Sequence, residues 1–220
     1  VDSIINLREF TGSSFSVNTY KKENNIVVAF RGTDEGIIQE NLSYLMSSEG
    51  HEQAKYAKEY IDNLYNKEFV DENTKIYITG HSLGGYLALY ATGELLYSGN
   101  LTKNFIKCVT FNGLGISPYD PYEIKNELEK LNDAQLINYR IHGDPVSSLG
   151  KHFTKFVNLD KIPPQIAMTE NPHKMVHFLG QTLSRKMNTP DKNGDDQLLG
   201  NLIISVMEAY SSFKELLSSI

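Results

Sequence analysis

A serine inside a glycine-rich pentapeptide is the strongest chemical signal in the chain. Gly80-His81-Ser82-Leu83-Gly84 fits the G-x-S-x-G pattern, and Gly85 follows it. This pattern places a serine on a sharp turn between a strand and a helix, where glycines on either side let the two elements approach. The flanking segments fit, because 75–79 predicts a buried strand and 83–97 a helix rich in Leu and Ala. We therefore expect Ser82 to be a nucleophile; the alternative is a glycine-rich turn with an incidental serine.

A nucleophilic serine needs a base, and the base needs an acid to orient it. In hydrolases with this turn the three residues follow in the order Ser, Asp, His. Asp144 comes just after a strand predicted at 136–141, so it is the candidate acid. The competing interpretation of Asp144 is an aspartate that forms a turn before proline. Asp120, Asp133 and Asp160 fit the acid less well.

The candidate base is a histidine downstream of the acid. His173 directly follows Asn171-Pro172, where the sequence predicts a helix entrance, so its side chain can point over the sheet edge. His177 lies one helical turn deeper and is the second choice, with a packing role as its alternative. The other four histidines are excluded by their positions: His51, His81, His142 and His152.

Two backbone N–H groups are needed to stabilise the oxyanion of the tetrahedral intermediate. One is expected from Leu83, the residue after the nucleophile. The other is expected from the loop Arg31-Gly32-Thr33, which follows an apolar strand predicted at 26–30. Thr33 would present its N–H there, although an ordinary turn at the end of a strand fits the same spacing.

The composition is that of a globular protein and excludes several functions. The chain has 220 residues, 40% of them hydrophobic and 22% charged, which suggests one domain with a small addition. A net charge of −6 argues against nucleic-acid binding as the main role. No apolar run approaches the roughly 20 residues of a membrane-spanning helix. Cys108 is the single cysteine, so no intrachain disulfide can form.

Strands and helices alternate along the chain, which predicts an α/β fold with a mostly parallel sheet and helices on both faces. The expected strands are 14–20, 26–30, 75–79, 105–111, 136–141 and 153–158, and the expected helices are 53–66, 83–97, 121–132, 173–186 and 197–220.

The domain organisation predicted is a catalytic domain over 1–188, followed by a linker and a C-terminal amphipathic helix over 189–220. Apolar residues recur in that helix at alternating spacings of four and three, which is a heptad pattern. We expect 198–220 to contact a helical partner or a further domain; docking on the catalytic domain is the alternative. Because the chain starts at Val1 without a signal-peptide pattern, a processed product or an excised piece is expected.

No metal or other cofactor is expected. The segment 191–196 carries oxygen side chains at positions one, three and five of a calcium-loop pattern. It lacks the glycine at position six, and Leu202 stands where the pattern requires glutamate. A solvated linker is therefore the better interpretation.

Five segments together resemble the class 3 lipase family, which includes fungal triacylglycerol lipases and plant phospholipases A1. The first two are the most specific in combination, and the resemblance extends over roughly 14–179. The five are Val27–Thr33, Gly80–Gly85, Val109–Gly113, Tyr139–Val146 and His173–Leu179.

The resemblance implies an α/β-hydrolase fold and metal-independent ester hydrolysis. It also implies a triad of Ser82, Asp144 and His173, with Thr33 and Leu83 as oxyanion donors. We therefore expect a serine carboxylic-ester hydrolase that acts on acyl lipids, as a lipase or phospholipase A1. A membrane or lipid surface is one place where such an enzyme would meet its substrate. The alternatives are an inactive hydrolase-like binding module, or a thioesterase or acyltransferase with the same triad. A secreted protein of bacterial origin is expected in preference to a cytoplasmic one.

Overall fold

The chain divides into two compact units, residues 1–173 and 174–220. A computed structural model describes part of the first unit: residues 5–11, 15–32, 52–64, 66, 70–141, 144, 146–159 and 173. The predicted linker and C-terminal helix lie outside these residues, so the domain boundary after residue 188 and the helical contact through 198–220 stay predictions.

A seven-stranded sheet forms the frame of the described unit, and its strands lie side by side in chain order. The first three strands are antiparallel, and β3 to β7 are parallel. The strands are β1 (Ile5–Thr11), β2 (Ser16–Lys22), β3 (Asn25–Phe30), β4 (Lys75–His81), β5 (Phe105–Phe111), β6 (Leu136–Ile141) and β7 (Phe156–Leu159).

Three helices connect the parallel strands: α1 (Glu52–Leu64), α2 (Leu83–Ser98) and α3 (Tyr122–Glu129). Each connection moves one strand further in the same direction across the sheet. Right-handed crossovers therefore place all three helices on one face, and α1 and α3 both pack against α2. Of the segments predicted as helices at 173–186 and 197–220, only His173 is described, and it lies in a turn.

The core is centred on α2, which packs against the sheet and against both neighbouring helices. Every residue from Leu83 to Leu95 is buried, so this helix is apolar on all sides rather than amphipathic. Gly93 lets α3 approach closely, because a Cβ at that position would lie 2.4 Å from Cγ2 of Ile124. The helix ends at Gly99, whose φ of 77° is the left-handed conformation that favours glycine at a C-cap. None of the helices in the described ranges is both long and apolar enough to span a bilayer.

Candidate active site

Ser82 occupies the sharp turn between β4 and α2, as the pentapeptide predicts. Its φ of 57° and ψ of −126° are unfavourable for any residue with a side chain, so the turn is strained. Hydrogen bonds made by the N–H and by the carbonyl of Ser82 hold this conformation. The N–H of Ser82 donates to the carbonyl of Phe111 at 3.2 Å. Its carbonyl accepts from the N–H groups of Gly85 at 2.9 Å and Leu114 at 3.3 Å.

The glycines around Ser82 are required by close backbone contacts. A Cβ on Gly80 would lie 2.0 Å from the carbonyl oxygen of Gly84, so no larger residue fits at position 80. A Cβ on Gly85 would lie 2.5 Å from the Cα of Gly113. Strand β4, helix α2 and the loop after β5 can therefore meet at Ser82 only because these positions lack side chains.

The structure brings Ser82, His173 and Asp144 into one hydrogen-bonded chain of buried side chains. Ser82 Oγ and His173 Nε2 are 2.6 Å apart, and His173 Nδ1 and Asp144 Oδ1 are 3.0 Å apart. An ionised carboxylate can only accept, so Nδ1 carries the proton and Nε2 accepts the hydroxyl hydrogen of Ser82. This is the arrangement in which an oriented imidazole can remove a proton from a serine. His177, the second choice for the base, lies outside the described residues.

Asp144 is held as a carboxylate by a short 3₁₀ turn at Val146–Ser148. The backbone N–H groups of Val146 and Ser147 donate to its two oxygens at 3.2 and 3.0 Å. Burial raises the pKa of Asp144, but the hydrogen bond and charge of His173 and the hydrogen bonds from Ser147 outweigh burial. The pKa of Asp144 therefore lies below its usual value, and the group is an anion at neutral pH.

The other candidate acids have different surroundings. Asp120 is buried, and its oxygens accept from the Tyr86 hydroxyl at 2.9 Å and the Ser117 N–H at 2.7 Å. These bonds tie the loop after β5 to helix α2, which is a structural role. Asp133 lies in an exposed turn, and Asp160 lies outside the described residues.

Of the two expected oxyanion donors, Leu83 lies within the described residues. Leu83 is the first residue of α2, where backbone N–H groups and the helix dipole favour negative charge. Gly32 packs against the turn at Ser82. A Cβ on Gly32 would lie 2.6 Å from the carbonyl oxygen of His81 and 3.3 Å from Cβ of Ser82. Thr33 follows Gly32 but lies outside the described residues, so its role stays a prediction.

His81 is the site residue that sequence reasoning missed. It was excluded as a base because it lies within the pentapeptide, yet its ring contacts His173. Its position immediately before the nucleophile, at the carboxyl end of a central strand, is the signal that could have pointed to it.

Other nucleophiles and metal sites do not compete with Ser82 in the described part of the chain. Burial raises the pKa of the Cys108 thiol to about 12, so this thiol is not a nucleophile at neutral pH. Within the same residues, no group of three or more His, Cys, Asp or Glu side chains could hold a metal ion.

A family model that matches more than half of the chain identifies the family to which the chain belongs. Residues 3–120 match the family model described as Mbeg1-like. The chain belongs to the Mbeg1-like family. This family is lipase-like, in agreement with the resemblance to lipases seen in the sequence. No curated protein sequence matches the chain.

Solved structures similar to this Mbeg1-like chain include fungal proteins. A mutant form of MDLA from Penicillium cyclopium has a TM-score of 0.54 at 14% identity, over 83% of this chain and 75% of that chain. A structure described as a fungal lipase gives the same four values. A lipase from Rhizopus microsporus var. chinensis has a TM-score of 0.48 at 17% identity, over 74% of this chain and 56% of that chain.

The first two similarities, together with the mostly parallel sheet, show that the chain has the α/β-hydrolase fold. The predicted fold class is therefore confirmed. The predicted bacterial origin has no support in these comparisons.

Proposed function

We propose that the chain is a serine carboxylic-ester hydrolase that acts on acyl lipids, as a lipase or a phospholipase A1. The observation that carries this proposal is the continuous hydrogen-bonded chain from Ser82 Oγ through the His173 imidazole to the Asp144 carboxylate. The strained turn at Ser82 supports the same function, because strain of this kind persists where the surrounding structure fixes a functional side chain. The lipase-like family supports an acyl lipid as the substrate.

In the proposed mechanism, His173 Nε2 takes the hydroxyl proton as Ser82 Oγ attacks the ester carbonyl. The N–H groups of Leu83 and Thr33 stabilise the negative oxygen of the tetrahedral intermediate. Asp144 stabilises the imidazolium, which then protonates the leaving alcohol as the carbon–oxygen bond breaks. Water attacks the acyl-enzyme by the same steps, releasing the carboxylic acid and restoring Ser82.

The first test separates this hydrolase from an inactive binding module of the same fold. A fluorophosphonate probe should label the wild-type chain, and p-nitrophenyl butyrate should be hydrolysed. Ser82→Ala should lose both signals. Ser98→Ala is the matched control, because Ser98 lies at the exposed end of α2 and should leave both signals unchanged. Absence of labelling in the folded wild-type chain would contradict the proposal.

The second test identifies the substrate class. The wild-type and Ser82→Ala chains are incubated with phosphatidylcholine vesicles, with emulsified triacylglycerol and with an acyl thioester, and products are identified by mass spectrometry. Release of fatty acid from either lipid, dependent on Ser82, is the expected result. Release only from the thioester would support the thioesterase alternative, and transfer of the acyl group to an added alcohol would support an acyltransferase.

A further inference from the structure

The ring of His81 is bonded to the backbone of His173. His81 Nε2 lies 2.7 Å from the carbonyl oxygen of His173. A carbonyl oxygen can only accept, so the hydrogen must be on Nε2 of His81. The two rings also lie side by side, with centroids 4.9 Å apart and planes inclined by 34°.

This bond reaches the main chain of His173, from which the imidazole projects, whereas the bonds with Ser82 and Asp144 reach the two nitrogens of its ring. Two ring contacts alone allow the ring to pivot about the line that joins them. A third contact on the main chain removes this freedom and keeps the ring plane aligned with the serine hydroxyl.

The position of His81 suits this role because it precedes the nucleophile directly. Strand β4 ends at His81 and continues into the strained turn at Ser82. The segment that carries the nucleophile thus also holds the segment that carries the base. A shift of strand β4 would move both partners together and preserve the 2.6 Å contact between Ser82 Oγ and His173 Nε2.

We propose that His81 is a positioning residue that, as a neutral Nε2–H imidazole, holds the main chain of His173 in register with Ser82. The proposal rests on the proposed function, since it concerns the geometry of that triad. His81 does not touch the reacting atoms and acts through His173.

The electrostatic surroundings agree with a neutral donor. Burial, and after it the charge of His173, lower the pKa of His81 to about 4, although the hydrogen bond to the His173 carbonyl and the charge of Asp144 act in the opposite direction. His81 is therefore neutral above about pH 5. A second cation 4.9 Å from the His173 ring would oppose formation of the imidazolium during the reaction, and a neutral ring avoids this cost.

A pair of substitutions tests the hydrogen bond separately from the shape of the side chain. His81→Phe keeps an aromatic ring but removes the donor, and His81→Gln keeps an N–H donor. We expect kcat of His81→Phe for p-nitrophenyl butyrate to fall about ten- to a hundredfold with KM nearly unchanged, the effect of a small misalignment. His81→Gln should stay within about threefold of the wild type, because its amide can donate to the same carbonyl.

The matched control for this pair is His152→Phe. His152 is another partly buried histidine, whose ring lies 4.5 Å from that of Phe156, and it takes no part in the triad. Its kcat should stay within about twofold of the wild type. Equal activity of His81→Phe and His81→Gln, whether high or low, would overturn the proposal. It would show that the N–H donor, which only the glutamine variant keeps, has no effect on the reaction.

Nuclear magnetic resonance of the wild-type chain gives a test that needs neither activity nor a variant. In a chain labelled with ¹⁵N-histidine, His81 should show the neutral Nε2–H tautomer from pH 5 to pH 8. The Nδ1–H tautomer, or a protonated ring in this range, would overturn the proposal. If the wild-type chain shows neither hydrolysis nor fluorophosphonate labelling, the proposed function is rejected instead. The two failures are therefore distinguishable.

Discussion

Gly84 and the carbonyl oxygen of Phe30 are in direct contact, since a Cβ on Gly84 would lie 2.2 Å from that oxygen. This contact joins the first turn of α2 to the end of β3, the strand that leads into the predicted oxyanion loop. Ser82 and that loop can therefore lie this close only because Gly84 carries no methyl group.

Gly84→Ala should therefore destabilise the protein, although alanine is the better helix former. We expect a loss of about 1–3 kcal/mol in the free energy of unfolding, typical of overpacking, measured by urea denaturation. Fluorophosphonate labelling should slow as well, because the loop after β3 must shift away from Ser82. Gly99→Ala is the control: a Cβ there meets nothing, so its φ of 77° alone should cost about 1 kcal/mol, and labelling should not change.

The strain at Ser82 predicts a difference in stability between two substitutions. Ser82→Gly removes the side chain that makes φ 57° unfavourable, whereas Ser82→Ala keeps a Cβ in that conformation. Both variants should lose at least about a thousandfold in kcat, since the nucleophile has no substitute. Ser82→Gly should be more stable than Ser82→Ala by about 1 kcal/mol, the strain relieved less the extra freedom of glycine in the unfolded chain. Equal urea midpoints would show that the turn is not strained.

The charge of Asp144 is expected to matter more than its shape. Asp144→Asn should lower kcat about a thousandfold or more, because an amide neither fixes the tautomer of His173 nor stabilises its imidazolium. Ser147→Ala keeps the backbone N–H that donates to an Asp144 carboxylate oxygen at 3.0 Å. It removes the hydroxyl, which donates to the Asp144 carbonyl at 3.1 Å and contributes to the lowered pKa of the carboxyl. Its kcat should stay within about threefold of the wild type. Similar losses in both variants would assign the effect to the turn rather than to the charge.

The choice of base is tested by two alanine substitutions. His173→Ala should lose activity about as severely as Ser82→Ala, because the members of a triad act as a unit. His177→Ala should retain measurable turnover in the same ester assay. The reverse order would identify His177 as the base.

Stability should fall on acidification below neutral pH because two histidines are buried in their neutral form. Burial lowers the pKa of His81 and of His152 to about 4 in the folded chain, from 6.5. Between pH 4 and pH 6.5 the unfolded chain therefore binds more protons than the folded chain. The contribution of these two histidines to the free energy of unfolding is complete above pH 6.5 and is lost as the pH falls towards 4. Acidification from pH 7 to pH 5 should lower the free energy of unfolding by roughly 2 kcal/mol for each histidine.

Urea denaturation of the wild type and of His152→Phe at these two pH values checks this expectation. The variant should lose less stability on acidification than the wild type, by the share that belongs to His152. An equal loss in both proteins would show that His152 titrates normally in the folded state.

The central parallel strands could be predicted closely, whereas β7 at the edge begins three residues later than predicted. The bounds of β5 and β6 agree with the sequence prediction, because both segments are rich in large apolar residues and lie between polar loops. Strand β1 was not predicted. Its pairing with β2 shifts register between Asn6 and Arg8, so the alternation of apolar and polar residues changes phase in the middle of the strand.

The catalytic candidates were predictable to different degrees for physical reasons. Ser82 has a local signature, because its glycines must avoid backbone contacts within a few residues. Asp144 and His173 were found through their order after the serine and their places at element ends. The bond from His81 to the main chain of His173 has no local signature, because it depends on where a segment far along the chain returns to the sheet.

The order of the strands bears on how the chain folds. Each strand after β1 pairs with the strand that precedes it in sequence, so the sheet can grow one neighbour at a time as the chain emerges from the ribosome. Ser82 and His173, in contrast, are 91 residues apart. We therefore expect a nascent chain to build a nearly complete sheet while its serine is still chemically inert. Reactivity would be acquired last, which limits attack on cellular esters by chains that have not finished folding.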